Sequence, residues 1–257
     1  MTFKRLGAVT KIAIGALAFS ATMASAAVVR VDEANFKPTA GLITFSEFAM
    51  GTVNPTYNST DYGGESNSPT VNFGGWFTGQ SLSTQPGVDC PGGVSSACVV
   101  GNPNAGLSID SNSNETFIAG DGAAPNSPVL SGSPMFNGSI AVLFDKDQYG
   151  VGFDAGYFDD LGSLGLTAFA RDGSILGTVS NLGLGIEFLG LISEQADIAG
   201  VLFSLTGAES AGFAIDSLRF GQRGDVVNPA AVPLPAGMPL LLAGMGAFAF
   251  MRRRRRS

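Results

Sequence analysis

The residues able to do chemistry in this 257-residue chain are almost all carboxylates, because it has no histidine and only two cysteines. Without imidazole there is no Ser-His-Asp or Cys-His nucleophile system and no His-ligated zinc or haem. Nor is there an imidazole to act as a pH switch near neutrality. Asp145 and Asp147 stand in FDKDQY, and Asp154, Asp159 and Asp160 in FDAGYFDD. Paired acids are the machinery of glycoside hydrolysis, one serving as acid and the other as base or nucleophile. Acids beside Gly, Tyr and Lys at strand ends are mostly solvated turn residues, however, and nothing in the spacing fixes a pair at catalytic separation. No catalytic residue is expected, and a carboxylate-dependent polysaccharide hydrolase or lyase is the competing reading.

Three further sets draw attention. Alternation puts Glu47 on a strand face with Ile43 and Phe45, and Asp216 on one with Leu218 and Phe220. A charge on such a face needs a partner. If these strands are neighbours, Glu47 and Asp216 supply hard oxygen ligands to a structural Ca²⁺, with backbone carbonyls completing the shell. Otherwise they face water at strand ends or pair with Arg219 or Arg223. Trp76, with Phe73 and Phe77 in VNFGGWFTG, is the candidate platform for a sugar ring, against the plainer role of core aromatic. Cys90 and Cys98 make a poor zinc site without histidine, and in an exported chain they are expected to form a disulfide.

The elements that must position these residues read as strands. Gly is 36 of 257 and charged residues only 14%, while a 45% hydrophobic share with 19 Phe is enough to bury a core. Nine runs carry strand patterns: 42–48, 70–77, 139–144, 149–158, 164–170, 175–180, 186–191, 198–206 and 212–220. Val151, Phe153, Ala155 and Tyr157 share one face by alternation, as do Val201, Phe203 and Leu205. Asp172-Gly173 marks a tight turn, because Gly tolerates positive φ, and predicts a hairpin between its flanking runs. Between 101 and 138, twenty-three of thirty-eight residues are Gly, Ser, Asn, Pro or Thr, which predicts a long loop. The expectation is an all-β chain, a single β-sandwich over 27–230, flanked by an N-terminal signal helix and a C-terminal transmembrane helix.

The ends differ from the middle. Eight of fourteen basic residues lie in Lys4, Arg5, Lys11 and Arg252 to Arg256, whereas all twenty-one acids fall between Asp32 and Asp225. The middle therefore carries six basic residues against twenty-one acids, a net −15, which repels phosphate and argues against nucleic acid as a partner. Residues 1–26 have a basic start, an apolar stretch from Ile12 to Phe19 and the small residues Ala24 and Ala26 before Ala27. That is the pattern of a signal peptide cut by signal peptidase. At the other end, 236–251 is a sixteen-residue uncharged stretch followed by Arg252, Arg253, Arg254, Arg255 and Arg256. The arginines would stop transfer and stay cytoplasmic, giving one span with the middle outside.

Val232-Pro233-Leu234-Pro235-Ala236, the apolar stretch and the arginine cluster together resemble the PEP-CTERM type of bacterial sorting tail, in its VPLPA-CTERM variant. The resemblance covers about 231–257. It implies a membrane-anchored precursor in a Gram-negative bacterium, recognised by an exosortase-type processing enzyme and delivered to the cell surface or extracellular matrix. It also implies an association with exopolysaccharide. ITFSEF, YGVGFDAGYF and FAIDSLRFG, spread over about 41–221, look like the jelly-roll, carbohydrate-binding-module-like domains that precede such tails. On this resemblance the chain is a non-catalytic surface or matrix protein, with a purely structural matrix role as a further alternative.

Overall fold

Short β-branched and aromatic runs broken by Gly, Asn and Asp build antiparallel sheets. The computed structural model describes residues 28–90, 98–121, 127–210 and 212–229. In chain order the strands are β1 (Val29–Val31), β2 (Gly41–Ile43), β3 (Thr56–Tyr57), β4 (Val71–Gly74) and β5 (Gln80–Leu82). Then come β6 (Val99–Gly101), β7 (Thr116–Gly120), β8 (Pro128–Gly132), β9 (Ile140–Gln148) and β10 (Gly150–Phe158). The last five are β11 (Leu164–Phe169), β12 (Ile175–Ser180), β13 (Gly185–Ile192), β14 (Ile198–Leu205) and β15 (Ala214–Gly221). The described helix is one 3-10 turn at Glu33–Asn35 and one α turn at Pro86–Asp89.

A seven-stranded sheet runs β1-β13-β10-β15-β8-β7, with β2 also pairing β15, and a six-stranded sheet runs β12-β11-β14-β9-β4-β3. A two-stranded ribbon joins β5 and β6. Val151, Phe153, Ile215 and Phe220 from the first sheet meet Val142, Phe144, Val201 and Phe203 from the second in one buried cluster. The ring of Phe203 lies 5.1 Å from that of Phe153 and 5.3 Å from that of Phe213, both edge to face. Two sheets sharing such a core make a β-sandwich. Alternation works on β14 from Val201 onward, where Val201, Phe203 and Leu205 face this core and Leu202 packs in a second cluster with Phe77 and Leu107; before it, a register shift between Ile198 and Gly200 puts Ile198 in the first cluster and Ala199 in the second.

The predicted hairpin is present. β11 and β12 pair antiparallel across Asp172-Gly173, Gly173 takes φ +85°, and Asp172 Oδ1 accepts from the Ser174 amide at 2.9 Å. The loop expected over 101–138 is corrected, because β7 and β8 pair there and extend the larger sheet. Each is only five residues long, so the turn-rich composition of their flanks hid them from a count over the whole segment.

Two bulges break the alternation in the larger sheet. Between Gly152 and Asp154 of β10, partner β15 advances from Arg219 to Asp216, one residue more than β10, and Ser217 takes φ +51°. Ile215 and Leu218 are consequently both buried and Asp216 points away from the core. Near its end β10 itself carries the extra residue, Ala155 pairing Glu187 and Phe158 pairing Gly185. Phe158 therefore takes the inward place that alternation assigns to Tyr157, which is 59% exposed. The expected faces of Asp216 and Tyr157 are corrected for one reason, since a one-residue insertion reverses a period of two.

The signal segment 1–26 with Ala24, Ala26 and Ala27 lies outside the described residues, as do Val232 to Ala236, the 236–251 stretch and Arg252 to Arg256. Among the described residues no helix is long and apolar enough to cross a membrane.

Candidate functional site

Both bulges open onto the same place. A cavity of about 500 Å³ lies on the outer face of the larger sheet, where β10 and β15 run side by side. Val129, Phe136, Ala214 and Ile186 supply apolar wall, Tyr157 supplies an exposed ring, and Asp154 and Asp216 supply carboxylates, with Asp121 beside them. Ile186 is 56% exposed, so with Tyr157 it offers a wetted apolar surface at the mouth.

Asp154 and Asp216 are direct cross-strand partners. Opposed residues in an antiparallel pair project to the same side with Cβ atoms about 5 Å apart. Burial raises the pKa of Asp154 above the usual carboxylate range, the charges of Glu33 and Asp216 add to this, and Arg219 and the Ser217 hydroxyl oppose it. Burial also raises Asp216, against hydrogen bonds from Ser127 Oγ at 2.7 Å and the Ser217 amide at 2.6 Å. Arg219 itself is ion-paired with Glu33. A pair of desolvated carboxyls in a cleft is where functional groups gather.

Gly152 stands two residues before Asp154, outside the cavity lining; a Cβ there would stand 2.6 Å from the Phe188 ring and 2.8 Å from the Gly190 Cα, so Gly is what lets β13 approach β10 this closely. Phe188 is Asp154's other cross-strand neighbour and meets Phe36 edge to face at 5.7 Å. Asp154 is thus held between an aromatic residue and a second carboxylate.

The other residues expected from the sequence are dispersed. Asp145 accepts from the Thr70 amide at 2.8 Å, and Asp147 is ion-paired with Arg171. Asp159 accepts from Ser210, and Asp160 from the Leu161 amide at 2.8 Å. These are structural assignments, and of the five only Asp154 lines the cavity. β2 and β15 do lie side by side, Leu218 opposite Ile43, and the charge of Glu47 reaches Asp216. Yet β2 ends at Ile43 and Phe45 takes φ +58°, so Glu47 sits in a turn, where its Oε1 accepts from Thr44 N and Oγ1, each at 2.9 Å. Glu47 Oε2 and the Tyr57 hydroxyl are both buried without a hydrogen-bond partner among the described residues. Burial holds the Tyr57 phenol well above its ordinary range, helped by the charges of Glu47 and Asp61. Among the described residues no three His, Cys, Asp or Glu side chains gather closely enough to hold a metal ion.

Trp76 is only 7% exposed, which leaves no ring face for a sugar; Tyr157 has one. Cys90 and Cys98 are disulfide-bonded, with Cα atoms 5.6 Å apart. Sequence reasoning missed Tyr157, Ile186 and the pairing of Asp154 with Asp216. The available signal was Gly156, since an isolated Gly late in a strand pattern marks a bulge.

A second, more polar groove of about 610 Å³ runs past Tyr62, Asn67, Lys146 and Gln222. Its polar groups are largely occupied with one another. Lys146 Nζ donates to the Asn67 carbonyl at 2.6 Å, Gln222 Nε2 to the Asp147 carbonyl at 2.7 Å, and Thr39 Oγ1 to Asp225 at 2.8 Å. Burial, with the Asp145 charge, pushes the Tyr62 phenol up to about 12, and its hydroxyl donates to the Pro69 carbonyl. The first cavity is therefore the better candidate site.

No known protein family matches the chain, and no curated protein matches it in sequence. The class is defined by geometry: an antiparallel β-sandwich with an outward-facing cavity walled by apolar groups, one exposed phenol and paired carboxyls.

Proposed function

We propose that this chain is an exported surface or extracellular-matrix protein whose folded body is a jelly-roll-like, carbohydrate-binding-module-like domain that associates with exopolysaccharide without catalysis. The observation that carries the reading is the cavity itself. A phenol ring and an aliphatic side chain at the mouth suit the C–H face of a pyranose, and carboxylates in its wall accept hydrogen bonds from hydroxyls. Export is supported by the signal-like residues Ala24, Ala26 and Ala27 and by the Cys90–Cys98 disulfide, a bond that persists in oxidising compartments. Processing by an exosortase-type enzyme is supported by Val232 to Ala236. That motif begins five residues after Val227, whose amide still bonds to the Asn35 carbonyl at 2.8 Å.

The competing hydrolase or lyase reading has two observations in its favour, the raised pKa of Asp154 and Asp216 and their places on one side of adjacent strands. Asp216 weighs against it, because its carboxyl is already engaged by Ser127 Oγ and the Ser217 amide. A carbohydrate array probed with the 27–229 fragment, which contains the whole described core, separates the readings. Retention of particular glycans with Tyr157-dependent affinity supports binding, and release of reducing ends from a labelled polysaccharide would overturn the non-catalytic assignment.

A further inference from the structure

The charged side chains that line the cavity, among the described residues, are all acidic. Asp121, Asp154 and Asp216 line it, and among its described lining residues there is no Lys or Arg. The guanidinium that eases Asp154, Arg219, is already ion-paired with Glu33. Around the cavity the whole middle of the chain carries a net −15. An anionic polymer such as a polyuronate meets repulsion both at long range and inside the site. A neutral sugar adds only hydroxyls to the Ser127 and Ser217 hydrogen bonds that already reach the two half-buried carboxyls, and leaves their charge unanswered. A ligand bearing an ammonium group relieves both, through a charge-assisted hydrogen bond in a site of low dielectric.

The apolar wall narrows the class further. Tyr157 and Ile186 stand at the mouth, with Val129, Phe136 and Ala214 deeper in. A bare inorganic cation has nothing to place against these groups, whereas a pyranose ring has a C–H face. The amine and the ring face on one residue make an amino sugar whose nitrogen carries no acetyl group.

We propose that this cavity binds a polysaccharide containing free, protonated amino sugars, the amine at Asp154 and Asp216 and the ring against Tyr157 and Ile186. This rests on the polysaccharide reading above and names its ligand class.

The test uses calorimetric titration at about pH 6, where an amine of ordinary pKa is protonated. The 27–229 fragment is titrated with glucosamine oligomers, with the same oligomers fully N-acetylated, with a neutral glucan oligomer and with oligolysine of similar length. The expected result is glucosamine-oligomer affinity at least about tenfold above that of the acetylated form, weakened by added salt. Asp154→Asn and Asp216→Asn should each erase most of that preference, and Tyr157→Ala should weaken the oligomer whatever its acetylation. Both Asn variants keep shape and remove a desolvated charge, and thermal unfolding of each confirms that it folds. Equal affinity for acetylated, neutral and amino oligomers would overturn the inference and leave the polysaccharide reading standing. Oligolysine binding as tightly as the amino oligomer would also overturn it, since the ring would then contribute nothing. Binding of no saccharide in any arm would overturn both.

Discussion

Asp154 and Asp216 face the same cavity from adjacent strands, and burial raises the pKa of each. A folded-state value above the unfolded one means that the folded chain holds the extra protons. The stabilisation this brings is complete below the unfolded carboxylate range, near about pH 4, and is lost as pH rises through the folded value. Asp154→Asn and Asp216→Asn should therefore raise Tm at neutral pH, with the gain over the parent shrinking as the solution is made weakly acid. Thermal unfolding across that range checks it, and a variant that loses Tm at neutral pH would contradict the assignment. Asp159 and Asp172 act in the opposite sense, held below the usual range by hydrogen bonds, to Glu209 and Ser210 in the first case and Ser174 in the second. Both remain in every protein compared, so the difference isolates the cavity pair. Tyr157 has a separate signature. Its exposed ring contributes little to folding, so Tyr157→Ala should leave stability within about 0.5 kcal/mol while lowering glycan affinity about tenfold.

At the scale of elements, the bulges decide what the sequence makes legible. The β11–β12 hairpin can be read from Asp172-Gly173 because a positive φ leaves a compositional mark. The inward face of β14 can be read from Val201 onward, because the register shift in that strand falls earlier, between Ile198 and Gly200. Asp216 and Tyr157 cannot be placed that way, since each lies beyond an inserted residue and period-two reasoning carries it to the wrong face. The carboxylates of the site are visible in the sequence, whereas their pairing depends on β10 and β15 being neighbours across some sixty residues of chain, a tertiary fact. The bulge also makes a prediction. Ser217 sits at φ +51°, so Ser217→Gly should be neutral or stabilising by under about 1 kcal/mol. Ser217→Val, β-branched where a left-handed conformation is required, should cost about 1–3 kcal/mol. Urea unfolding of the two variants checks this, and equal stabilities would show that the bulge does not need that conformation. Replacing Cys90 and Cys98 together by Ser should cost roughly 2–3 kcal/mol through the loop entropy that the bond removes from the unfolded chain.

Over the whole molecule, the sandwich keeps its stability inside and its chemistry outside. Phe203 meets Phe153, Phe158 and Phe213 between the sheets, and Phe203→Ala should cost about 3–5 kcal/mol without changing which glycans the folded fraction binds. The cavity instead occupies the outer face, where the two bulged stretches of β10 and β15 turn polar and aromatic groups away from the core. The proposed role, binding polymer outside the cell, asks for little more than such a face and a disulfide suited to an oxidising compartment. The central claim is that this face holds the glycan. The most direct measurement is an amide chemical-shift map of the 27–229 fragment titrated with a glycan retained on the array. The account predicts perturbations concentrated at Asp154, Tyr157, Ile186, Ala214 and Asp216, and lost in Tyr157→Ala. Perturbations confined to the groove around Tyr62, Lys146 and Gln222 would contradict it.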